Sequence, residues 1–169
     1  QGGEYRDDSD ANNAELAAEL KSVEMEVLYE DGMYILESPY VKVVNFSAPP
    51  TEPYVGTGPN FEFARNEDAF EDVNAYYHIH NFQLYVQEIG FNSLVNEQIY
   101  IDTHGQSGND QSLYKYLNNR HEISFGEGHV PGKSEHVDDA EDADVVIHEY
   151  AHALSHSACP NCNSGKERN

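Results

Sequence analysis

The stretch DDAEDADVVIHEYAHALS, residues 138–155, decides how the rest of the chain must be read. Its spacing predicts one amphipathic helix, with Ala140, Ala143, Ile147, Tyr150, Ala151 and Leu154 forming a packing face. Asp138 and Asp139 place negative charge in the first turn, where the helix dipole favours it. A helix with one apolar stripe needs a layer to cover it, so the preceding residues must supply that layer.

They offer both kinds of element. Residues 66–89 read as a long helix that is apolar almost all round, implying burial on more than one side, and Gly90 is a natural stop. His78 and His80 in it lie about 200° apart on the helical wheel and cannot share one ion, so they read as core or surface histidines. QIYIDTHG (98–105) alternates as a strand does, and further strands are expected around SLYKYL (112–117) and HEISFGEG (121–128). Upstream, 23–29, 33–38 and 40–46 read as strands of a small antiparallel meander, with Asp31-Gly32 as the first turn. Residues 47–60 hold four of the seven prolines and read as an irregular connector; 12–21 suggest a short helix. The fold class expected is α+β: a mixed, mostly antiparallel sheet with a long buried helix and a C-terminal helix. The expected division is 1–60, an N-terminal extension and meander, and 61–169, the lobe that carries the chemistry.

Composition narrows the function. With 169 residues the chain is long enough for one real core. A net charge of −22 would repel phosphate backbones and anionic headgroups, which disfavours nucleic-acid and membrane-surface partners. No run approaches the roughly 18 apolar residues of a membrane span. Cys159 and Cys162, in CPNC, fit a local disulfide or free thiols in an exported protein, and His156 is a remote partner for them in an accessory metal site.

The chemistry lies in His148-Glu149-Tyr150-Ala151-His152. Two histidines four apart sit on one helical face about a turn apart, where both can reach one zinc ion. Glu149 beside them is placed as a general base for a water activated by that ion. His156 continues the same face, but three histidines at this spacing rise about 12 Å, too far for one ion to reach both ends. The longer HExxHxxGxxH pattern is absent, with Ser155 and Ala158 where its Gly and third His would stand.

The run 137–154 resembles the zinc helix of the thermolysin-like and fungalysin-like metallopeptidases, and the segments from 66 onward are similar in order to what precedes that helix in those enzymes. The resemblance covers 66–155 and implies a zinc-dependent endopeptidase acting on proteins or peptides, secreted, with His148 and His152 as zinc ligands and Glu149 as base. Asp144 matches a position that binds calcium in some of those enzymes, although a helix-capping or solvated role is the favoured expectation for it here, and the resemblance implies that Asn109 or Gln111 binds substrate backbone. It also suggests that the 112–117 edge pairs with an extended peptide. The family's third ligand is a glutamate about two dozen residues or somewhat fewer after the second histidine. Glu167 is a weak match, so that ligand is expected beyond Asn169 and the chain is expected to be inactive alone. The alternative is a non-catalytic acidic binding module that keeps the motif.

Overall fold

The structure is a computed structural model that describes residues 14–132, 137–160 and 162. Its centre is a four-stranded sheet in the order β3-β5-β7-β6, built from β3 (Val41–Val43), β5 (Ile99–Asp102), β6 (Leu113–Leu117) and β7 (Arg120–Ser124). The two-residue period of a strand sends Val41, Val43, Ile99, Ile101 and Ile123 to one face, where all are buried. Lys42, Tyr100 and Glu122 share the other, where the Arg120 guanidinium lies 4.5 Å from the Tyr100 ring centre.

β5 runs parallel to both β3 and β7, while β6 and β7 form an antiparallel hairpin. A second sheet, β1-β2-β4, is wholly antiparallel, so three of the five pairings are antiparallel and the parallel ones hold the centre. This is the α+β arrangement with a mixed sheet that the sequence predicts. β3 precedes residue 60 and β5 follows it, so the central sheet draws strands from both sides of the expected division.

Some local expectations need correction. β1 (Leu28–Glu30) is shorter than 23–29, because Met25 and Val27 pack against the core and Glu26 uses its carbonyl to accept the Tyr76 hydroxyl. The β1–β2 hairpin turns on Asp31-Gly32 into β2 (Met33–Ile35), but β3 leaves the meander for the larger sheet and stays joined to the 36–38 segment by an isolated Glu37–Lys42 bridge. Burying both Val41 and Val43 requires the covered face of the larger sheet. The connector is not wholly irregular, since β4 (Val55–Gly56) pairs with β2.

After the short α1 (Ala14–Glu19), the long helix α2 (Asp68–Glu88) buries Ala75, Tyr76, Ile79 and Val86 against the sheet together with the polar Glu71, Asp72, His80 and Gln83. Leu84, Tyr85 and Ile89 are exposed, so apolar character all round does not become burial all round. His80 is a core histidine bonded to the Ser38 hydroxyl at 3.0 Å. The last helix also starts later than expected: residues Asp139–Glu141 form a 3-10 turn, then Asp142 accepts the Asp144 N–H and caps α3 (Ala143–Ala158). The Cys159–Cys162 disulfide follows directly. Among the described residues no helix is long and apolar enough to cross a membrane.

Gly126, just past β7, lies against the loop that leads into β6. A Cβ there would run into the carbonyl oxygen of Asn109 and come within 2.9 Å of that of Gln111. Gly126→Ala is expected to destabilise the protein by about 1–3 kcal/mol, read from urea unfolding, because backbone has to move. Unchanged stability would show that the loop is not packed in this way.

Candidate metal centre

α3 is held from behind. Val146, Tyr150 and Ala153, at helical spacing, are fully buried. The Tyr150 hydroxyl donates to Gln83 Oε1 on α2, and Gln83 Nε2 donates to the Leu94 carbonyl at 2.9 Å. Near the far end, Ser157 Oγ accepts the Val95 N–H at 3.0 Å. These contacts set the rotation of the helix about its axis, and the opposite face carries His148 and His152, both exposed.

Their Nε2 atoms stand 3.2 Å apart, with the rings edge to face. Two nitrogens on a tetrahedral zinc, each about 2.0–2.1 Å from the metal, are separated by roughly 3.3 Å. The donor pair therefore has the spacing that one such ion requires. Glu149, only 7% exposed, offers a carboxylate oxygen in the same group, and the donor atoms of His148, Glu149 and His152 all lie within 4.8 Å of one another. Among the described residues no other group of three potential metal ligands is this close. Two exposed imidazoles and a sheltered carboxylate can hold a divalent ion and present a base beside it.

One wall of this group comes from the β6–β7 hairpin. Tyr114 and Tyr116 lie two apart on β6, and Tyr116 is opposite His121 on β7. The Tyr114 ring lies at 16° to that of His152, with centres 6.4 Å apart, and its oxygen is 2.7 Å from Nδ1 of buried His121. His121 Nε2 is 3.0 Å from Glu97 Oε1. Burial pushes the His121 imidazole down from its ordinary value, against the raising effect of Glu97, and nearby His156 lowers it further. A neutral ring that donates from Nε2 to the carboxylate must accept at Nδ1, so Tyr114 is the donor there. His156 packs against Tyr116, with centres 4.4 Å apart, and outside the ligand group. Sequence spacing alone did not point to Tyr114, His121 or Glu97; the two-residue period of β6 was the available signal.

The remaining expected site residues sit elsewhere. Asp144 is exposed in the first turn of α3 and belongs to no close group of three ligands among the described residues. Asn109 donates its side-chain amide to the Gln106 carbonyl, while Gln111 is exposed just before β6. Glu167 lies outside the described residues.

A second polar cluster, unforeseen from sequence, lies beneath α2. Asp72 accepts the Tyr54 N–H and the Thr103 hydroxyl, and Asp102 accepts the N–H groups of Phe46 and Ser47. His104 Nδ1 is 3.5 Å from Glu71, whose carboxyl is pushed up to about 11 by burial, with Asp138 adding to the rise. No protein-family model matches the chain, and no curated protein matches it.

Proposed function

We propose that this chain carries the two-histidine part of a zinc-dependent endopeptidase centre. The observation that carries the reading is the 3.2 Å separation of the His148 and His152 Nε2 atoms with Glu149 sheltered beside them. His148 and His152 would hold the ion, and zinc bound there would polarise a scissile carbonyl and make water a better nucleophile. Glu149 takes a proton from the attacking water and returns it to the leaving amine. A zinc hydrolase uses three protein ligands, so the reading calls for one more carboxylate or imidazole, which we place C-terminal to α3. Two imidazoles alone hold metal weakly, so zinc occupancy and hydrolysis both depend on that third ligand. The exposed β6 edge is suited to an extended peptide lying along it as an added strand. Secretion is supported by the Cys159–Cys162 disulfide, which persists in oxidising compartments.

The test is metal content and peptide cleavage of the natural gene product. About one zinc per chain is expected, with cleavage lost on chelation and restored by zinc. A purified product that holds no zinc, or one that cleaves peptides equally well after chelation, sinks the proposal.

A further inference from the structure

The hairpin wall does more than close off one side of the metal-binding pair. Tyr114 presents its ring to His152 at 16° and stands tilted, at 56°, to His156. Its position is tied from behind: hydroxyl to His121 Nδ1 at 2.7 Å, then His121 Nε2 to Glu97 at 3.0 Å. His121 is 2% exposed and has both ring nitrogens engaged, so it cannot turn without losing two hydrogen bonds. The tie therefore runs from a carboxylate, through a locked imidazole, to an aromatic ring that faces one donor of the pair.

His152 needs such a support. The backbone of α3 fixes where its Cβ lies, but an exposed imidazole still turns about its outer torsion, which is broad and roughly two-fold. Only orientations that bring Nε2 toward His148 are useful. A ring aligned with the imidazole plane restricts that torsion before any ion arrives, so less ordering is left to be done on binding. In zinc sites generally, the groups that orient a histidine ligand matter nearly as much as the ligand.

We infer that Tyr114, held by His121 and Glu97, is a positioning residue for His152 and sets the geometry with which the His148–His152 pair takes a divalent ion. The inference rests on the metal-centre reading given above. Tyr116 supplies the internal contrast. It lies on the same strand face, packs on His121 and His156, and has no ring contact with His152.

The experiment uses cobalt(II) as the probe, since its visible absorption reports ligand geometry as well as occupancy. The natural gene product and its Tyr114→Phe, Tyr114→Leu and Tyr116→Leu variants are titrated with cobalt(II), with circular dichroism confirming that each is folded. Tyr114→Leu is expected to weaken cobalt binding roughly tenfold and to shift its visible bands. Tyr114→Phe, which keeps the ring and loses its tether, falls between Tyr114→Leu and the parent. Tyr116→Leu leaves affinity and spectrum as in the parent. A folded Tyr114→Leu variant with the parent's affinity and spectrum overturns the inference and leaves the metal reading standing. So does a Tyr116→Leu variant that perturbs the bands as much, because the effect would then be general packing. A parent protein that takes up no cobalt overturns both.

Discussion

Glu149→Gln in the natural gene product is expected to retain its metal and lose peptide hydrolysis by roughly a hundredfold to ten-thousandfold, the range a positioned acid–base group contributes. Glutamine has nearly the shape of glutamate, so the packing around a residue only 7% exposed is kept, but it cannot accept the proton of an attacking water. The loss should fall on kcat with little change in KM, since an interaction used in the transition state has been removed and substrate contacts remain. His152→Ala separates the two parts of the site. It deletes one of two nitrogens 3.2 Å apart, and zinc affinity is expected to drop by at least about a hundredfold, with activity lost in proportion to occupancy. Excess zinc should then partly rescue His152→Ala and leave Glu149→Gln unrescued. Full activity in Glu149→Gln would remove this residue from the chemistry.

The helix bearing these residues is legible in sequence because its information is local. Apolar residues at helical spacing and the four-residue separation of His148 and His152 need no partner to be seen. The face that packs is turned from the expected one, however: Val146, Tyr150 and Ala153 are buried, Ile147 and Leu154 are half-buried and Ala151 is exposed, because contacts from α2 and Val95 set the rotation of the helix. β5 and β7 are legible for a similar reason, since Ile99, Ile101 and Ile123 alternate with polar or half-buried neighbours. The β6–β7 turn also had a local sign, Asn118-Asn119, with both residues at positive φ as a tight two-residue hairpin loop requires.

What escaped was set by partners distant in the chain. The two residues of β4 are a strand only because β2 offers an edge, and β3 runs parallel to β5 because its two valines find a covered face there. Glu97 reaches His121 across 24 positions, so no spacing rule connects them. The same holds for the polar cluster beneath α2, where Asp72 meets Thr103 and Glu71 meets His104. A helical reading that counts Glu71 and Asp72 as solvated surface is reasonable locally and fails because the sheet, the connector and the 138–141 turn close over them.

That burial makes Glu71→Gln a stabilising substitution. Glu71 is 3% exposed, and the charged groups around it are mostly of its own sign: Asp138, Glu141 and Asp68, with His104 3.5 Å away. Burial and these neighbours push its carboxyl from the ordinary 4.5 up to about 11, so the folded protein holds a proton there that the unfolded chain releases above pH 4.5. Below 4.5 both states are protonated and folding carries no penalty. Between there and about 11 the folded state binds the extra proton, and stability falls as pH rises. At pH 7 the penalty is about 3 kcal/mol as an upper value, because one pKa unit corresponds to about 1.4 kcal/mol. Glutamine is neutral at every pH and its amide can still donate to Asp138, so Glu71→Gln should gain about 1–3 kcal/mol at pH 7. The advantage over the parent should shrink toward zero near pH 4 and widen toward pH 9. Asp72 and Asp139 are also raised by burial and add slopes of the same sign, but both proteins share them and they cancel in the difference. Urea unfolding of the two proteins at pH 4, 7 and 9 is the measurement. A difference that stays constant across that range, or a variant less stable than the parent at pH 9, would mean that Glu71 does not hold its proton in the folded state.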